Sequence, residues 1–177
     1  SSLVLLSKHH ANPDSDLSEI IADFIVTLTG HEQNPGGPYR TWIGCEPIPP
    51  WNDYDPVVNS TIQYTLGKWN VYLHNLNEYL ITALKSNTWR SPYYTSDYLS
   101  LYLITRSFEP VNYSEIRKII AEIITVEPPQ SLLDLACAII ITSRLQISLP
   151  NGFEKRLFAI TANNFTPDPC VREQGND

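Results

Sequence analysis

Apolar residues recur along this chain at intervals of three and four, and most of the runs open on a residue that can cap a helix. Asp16-Leu-Ser-Glu19 has the form of a capping box, and Leu17, Ile20, Ile21, Phe24, Ile25 and Leu28 follow at helical spacing until Gly30. A second run opens on Asp55, with Pro56 in the first helical position where its missing N–H is not needed. It carries Val57, Val58, Ile62 and Leu66 and stops at Gly67. A third helix is predicted from Val71 to Leu84, with Leu76, Tyr79, Leu80, Ala83 and Leu84 on one side. A fourth starts at Thr95 or Ser96 and carries Tyr98, Leu99, Tyr102 and Thr105. Asn112 and Glu115 cap the fifth, whose stripe is Ile116, Ile119, Ile120, Ile123 and Ile124, and Pro128 and Pro129 end it. Ser131 opens the sixth, from Leu132 to about Leu145. Asn151 with Glu154 caps a seventh that fades near Ala162, and Leu3 to Leu6 read as the end of another.

The predicted helix starts at 56, 96 and 131 recur every 35 to 40 residues, with a further helix between each pair. That period marks stacked helix hairpins, as in solenoids and toroids. Val, Ile and Thr are abundant, but the caps and the spacing outweigh their preference for strands. The expected fold is therefore all-α: one domain of antiparallel helix hairpins over residues 1–165, with a loop or flexible tail over 166–177. The fifth helix is apolar on one side and the sixth on nearly every side, which suggests an outer and an inner layer. On that reading Leu132, Leu135, Ala136, Ile139 and Ile140 form the deepest core, and Ile139→Asp is expected to unfold the chain.

Composition narrows the function classes. A net charge of −7 with only 12 Lys and Arg, scattered along 177 residues, leaves no basic stripe for a nucleic-acid backbone. No apolar run reaches the ~20 residues of a membrane span, and SSLVLLSKHH is too short in its apolar part for a signal peptide. A cytoplasmic location is the resulting expectation. The chain has no Met, so it is expected to begin inside a longer product or after processing. Cys45, Cys137 and Cys170 are too far apart for a zinc pattern or a disulfide framework, and Cys137 in ACAIII reads as a buried small hydrophobe. Sequons stand at Asn59, Asn112 and Asn164; the first two fall at or near helix starts and read as structural.

Two aromatic-rich connections are long: HEQNPGGPYRTWIGCEPIPPWNDYD before the second helix and SNTWRSPYYT before the fourth. Loops of that length in a small domain are usually ordered by their own side chains or used for function. Several segments resemble repeats of a known superfamily: NPDSDLSEIIADFIVTL, GGPYRTWIG followed by NDYDPVVNSTIQYTL, SPYYTSDYLSLYLITRSF, and SLLDLACAIIITSRLQISLP. Together, from Asn12 to Pro150, they look like the terpenoid cyclase and protein prenyltransferase α/α toroids, in particular squalene-hopene cyclase-like repeats in degenerate form.

The resemblance implies part of an α/α toroid that acts on or binds an isoprenoid or other lipid. In the cyclases an Asp-x-Asp-Asp stretch protonates the substrate. Asp14 falls on its first position and Asp16 on the middle, general-acid position, whereas Leu17 stands where the last Asp belongs. Such chemistry needs a carboxylic acid kept protonated in a dry pocket. The plainer role of Asp16 is an N-cap, with Asp14 favouring the same helix dipole. Expected substrate-binding residues are Trp42, Trp51, Asp53, Asp55, Trp89, Tyr93, Tyr94 and Tyr98: the Asp pair would bind a cation or line the toroid mouth, and the Tyr rings would stabilise a carbocation by cation–π attraction. Here too each has a structural alternative: Asp55 as a cap, the Trp residues as loop anchors, the Tyr residues as core. His9, His10, His31 and His74 pair with no Cys at ligand spacing, so no metal site is expected; Mg would enter only with a diphosphate substrate. The alternative function is a non-catalytic helical-hairpin domain that binds an apolar ligand or a partner protein. Seven helices are too few to close a toroid, so the chain is expected to form a homo-oligomer or to join a missing toroid segment.

Overall fold

The computed structural model describes residues 11, 17–44, 47–109 and 113–148. Among them are six helices and no strand: α1 (Ser18–Gly30), α2 (Pro56–Gly67), α3 (His74–Lys85), α4 (Asp97–Thr105), α5 (Tyr113–Val126) and α6 (Leu132–Leu145). Asp14, Asp16, His9, His10, the predicted seventh helix, the tail, Asn112, Asn164, Cys45 and Cys170 all lie outside the described residues.

Three of the predicted caps are in place. The Asp55 carboxylate accepts from the Val57 and Val58 N–H groups, both at 2.8 Å, and Pro56 occupies the first turn of α2. Ser96 accepts from the Leu99 N–H at the start of α4. Ser131 and Asp134 form a reciprocal capping box at the start of α6. Burial alone would raise the Asp134 carboxyl, but hydrogen bonds from Ser96 and Ser131 outweigh it and hold the group below the usual carboxylate range. α3 begins later than the sequence suggested. Asn70 sits in the left-handed region, and the Val71 N–H closes onto the Leu66 carbonyl, so residues 68–73 finish α2 and no polar cap precedes α3.

The helices are arranged in two rows. α2 packs on α3 and on α4, α4 packs most extensively on α6, α3 lies against α5, and α5 against α6. Alternate helices are thus neighbours. The main core joins Val57 of α2, Leu80 and Leu84 of α3, Leu101 and Ile104 of α4, Ile116, Ile120 and Ile124 of α5, and Leu135, Ala138, Ile141 and Leu145 of α6. A second cluster, Leu28, Tyr39, Ile62, Leu66 and Leu76, ties α1 and the loop after it to α2 and α3.

The expectation about depth is reversed. α6 is not surrounded: Leu135 is buried, but Leu132, Leu133, Ala136, Ile139 and Ile140 are exposed. Among the described residues no helix packs on the outer face of α6, so apolarity all round was no guide to its depth. The helix buried on most sides is α2, where Asn59, Ser60, Thr61, Gln63 and Thr65 are all buried. Its hydroxyls are satisfied within the helix: Ser60 and Thr61 donate to the Val57 carbonyl at 2.8 and 3.0 Å, and Thr65 donates to Thr61 at 2.6 Å. A polar helix can be central when its side chains return their hydrogen bonds to its own backbone.

The Ile139→Asp expectation changes accordingly, because the site is not enclosed within one chain. The contrast between neighbouring positions is the test. Ile141→Ala should cost about 2–4 kcal/mol in urea unfolding, the range for truncating a buried Ile, whereas Ile140→Ala should stay within about 1 kcal/mol.

Candidate functional site

The long connection between α1 and α2 is ordered by two buried carboxamides. The Asn59 side chain accepts from the Tyr39 N–H at 2.8 Å and donates to the Tyr39 carbonyl at 2.8 Å and to the Asp55 carbonyl at 2.9 Å. Asn52 does the same for Trp42: its Oδ1 accepts from the Trp42 N–H at 3.0 Å, and its Nδ2 donates to the Trp42 carbonyl at 2.8 Å. Between these bridges the Thr41 N–H donates to the Asp53 carbonyl at 2.9 Å, and the Thr41 hydroxyl donates to the Asp53 carboxylate at 2.9 Å. The two arms of the loop are therefore paired through residues 39–42 and 52–55. Arg40 joins them again, donating to the Asn52 carbonyl with its guanidinium 4.8 Å from the centre of the Tyr54 ring.

The need for glycine in this loop is clearest at Gly37, where backbone and space both require it. Gly37 has a φ of +92°, and a Cβ there would meet the Tyr39 ring at 3.0 Å. Tyr39 itself is buried and donates its hydroxyl to Glu32, which also accepts from the Gly36 N–H. The Asn59 sequon is explained by the same arrangement: its amide is fully buried and fully bonded, which leaves no accessible nitrogen for a glycan.

On the outside of this braced loop lies an aromatic platform. Trp42 is edge-to-face with Trp51, their centroids 6.4 Å apart, and with Tyr93 from the loop before α4, at 6.5 Å. Trp42, Trp51 and Tyr93 remain 49%, 61% and 47% exposed. Ile48 is also exposed, and with Trp42, Ile43, His31, Arg40 and Asn52 it borders an adjoining concavity of about 220 Å³. The second loop is anchored by Arg90, which pairs with Asp97 at 2.9 Å and with Glu127, its guanidinium 4.5 Å from the centre of the Trp89 ring.

The candidate residues are thereby separated. Trp42, Trp51 and Tyr93 come together from two loops; Tyr94 is exposed beside Tyr93 in the chain, and Asp53 is exposed while bonded to Thr41. Three others are placed in the interior. Asp55 is a buried cap. Trp89 is almost wholly enclosed, its indole N–H donating to Asn87 at 3.0 Å. Tyr98 belongs to the main core and donates its hydroxyl to the Glu127 carbonyl at 2.6 Å. Trp89 and Tyr98 border a depression of about 250 Å³ together with Thr95, Asp97, Gln130 and Asp134. Asn52 and Arg40 were not foreseen, although an Asn between Trp51 and Asp53 was a visible signal; Asn59 was read as structural, but not as a bridge to Tyr39.

Among the described residues no group of three His, Cys, Asp or Glu side chains is placed to hold a metal ion, and no described helix is long and apolar enough to cross a membrane. Comparison with protein-family models, with curated proteins and with solved structures finds no match for this chain.

Three phenols, two of them buried and one half-buried, are held above their ordinary range. Burial, then the charge of Glu32 and a hydrogen bond to it, push Tyr39 up to about 12. Burial, followed by Asp55 and Asp53, raises Tyr79, and burial, followed by Asp134 and Glu127, raises Tyr98. The folded state thus favours the protonated phenol. Its stabilising contribution is complete below the unfolded value of about 10 and declines as the pH rises from there through the folded values. Urea midpoints measured up the alkaline range should fall above pH ~10, with the phenolate absorbance of these residues appearing only at higher pH or together with unfolding.

Proposed function

We propose that this chain is a non-catalytic helical-hairpin domain that binds a partner protein through the Trp42, Trp51 and Tyr93 platform. The observation that carries this reading is that three large aromatic rings, each about half exposed, are held edge to face on loops braced by Asn52 and Arg90. Trp and Tyr dominate the energetics of protein interfaces because they bury much area and lose few rotamers on binding. Pre-ordering by the Asn52 bridge reduces the ordering cost further. The adjoining concavity of about 220 Å³ is smaller than the 300–1,000 Å³ usual for an enclosed organic ligand, which favours a flat contact over an engulfed isoprenoid.

The isoprenoid reading rests on the resemblance and on Asp14 and Asp16. It requires that the native chain convert or bind an isoprenoid, with Asp16 as the acid.

Replacing Tyr93 with the photo-crosslinking residue p-benzoylphenylalanine gives a direct test in extracts of the native host. A discrete protein adduct is expected on irradiation, weakened about tenfold or more by Trp42→Ala, in line with the loss of one interface hot spot. An adduct unaffected by Trp42→Ala would remove the platform from the interaction. Incubation with squalene, a squalene epoxide or farnesyl diphosphate tests the other reading: cyclised product from the native chain, lost in Asp16→Asn, would put the enzyme first.

A further inference from the structure

One row of helices, α2, α4 and α6, ends in a group of cations. Arg106 caps the C-terminus of α4, and its guanidinium lies 4.4 Å from the centre of the Tyr64 ring in the last turn of α2. Lys68, which caps α2, holds its ammonium 4.6 Å from the centre of the same ring. Arg144, in the last turn of α6, donates to the Arg106 carbonyl at 3.2 Å. The aromatic platform sits on the loops that lead into α2 and α4, so the two surfaces lie at opposite ends of those helices.

A helix C-terminus carries roughly half a negative charge, which accounts for a cation at each end. It does not account for the absence of a counter-charge. Among the described residues Lys68 and Arg106 donate no side-chain hydrogen bond and form no ion pair; the ion pairs there belong to Lys85 and Arg90. Arg106 Nε is shielded from solvent with no acceptor beside it, although a buried donor almost always has one. Carboxylates are not scarce in a chain with 19 Asp and Glu against 12 Lys and Arg. Lys68 and Arg106 share one ring, and cation–π attraction stabilises each without cancelling their mutual repulsion.

The geometry points to a phosphate-binding site formed by Lys68, Arg106 and Arg144. A phosphate group brings a charge of about −1.5 to −2 and three acceptor oxygens, enough to meet an ammonium and two guanidinium groups together. A carboxylate brings one charge and two oxygens. The planar fork of Arg also matches phosphate oxygens. Lys68 and Arg144 are exposed and Arg106 is half-exposed, so the group is reached from solvent. The ligand is a small soluble phosphate rather than a lipid headgroup, because a chain with a net charge of −7 is repelled by an anionic membrane surface.

Isothermal titration of the whole chain with inorganic phosphate, at fixed ionic strength, tests this. Saturable binding is expected, and acetate at the same ionic strength should not displace it. Lys68→Gln and Arg106→Gln should each weaken binding roughly tenfold, the loss of one charge-assisted contact. Lys68 is exposed, so its replacement reads the site even if Arg106→Gln fails to fold. Lys85→Gln makes the same change in net charge at a cation already paired with Glu115, and should leave binding unchanged. Cosedimentation with phosphatidylcholine vesicles containing phosphatidic acid separates the two sources of phosphate, and no capture is expected. The inference is overturned if millimolar phosphate shows no saturable binding, if acetate displaces it, or if Lys68→Gln and Lys85→Gln weaken it alike. Capture by the vesicles without binding of inorganic phosphate overturns it as well.

Discussion

The reciprocal bonding of the Asn59 carboxamide to the Tyr39 backbone is the constraint on which the rest of this molecule hangs. Asn59 is fully buried in the first turn of α2, and its three hydrogen bonds reach Tyr39 and Asp55. A buried carboxamide left without partners costs about 1–3 kcal/mol for each unmet group, so helix and loop are stable only together. Once Tyr39 is seated, its ring closes the cluster of Leu28, Ile62, Leu66 and Leu76 that fixes α1. The same anchoring sets the start of the paired arms that carry Trp42 outward.

The polar character of α2 follows from its position. It lies between α3 and α4 and also receives the long loop, so it meets backbone as well as side chains. Small hydroxyl residues suit that place, since they allow close approach and satisfy themselves on their own helix. Tyr79 extends the same logic from α3, donating its hydroxyl to the Tyr54 carbonyl and so tying the loop to the second row of helices. Among the described residues, exposed apolar surfaces are then found on the outer side of the loops, which is aromatic, and on the outer side of α6, which is aliphatic. They differ in chemistry because the first is built from loop residues selected by turn geometry and the second from a helix.

Much of the candidate site was legible as an anomaly rather than as a site. Three of the four Trp and four of the ten Tyr fall in the two long loops, which announced that the loops were ordered. Which rings were anchors and which were displayed was not legible. Trp89 and Trp42 look alike in sequence, each followed or preceded by Arg or Thr in a turn-rich stretch, yet one is enclosed and the other half exposed. The difference lies in whether α4 and α5 close over the ring, and that depends on packing between elements distant in the chain.

Local chemistry was readable from the sequence by itself. Asp55 with Pro56, Ser96, and Ser131 with Asp134 each specify a helix start through bonds that span two or three residues, and the periodic apolar stripes specify helices rather than strands. Depth was decided only by tertiary structure. The all-round apolar α6 lies at an edge and the hydroxyl-rich α2 at the centre, because burial depends on what packs against a helix and hydropathy records only what the helix itself carries. The pairing of Trp42, Trp51 and Tyr93 likewise required two loops, separated by α2 and α3, to be brought to one surface. No local pattern encodes that meeting, since the bonds that produce it, from Asn52, Asn59 and Arg90, all join residues far apart in the chain or on different elements.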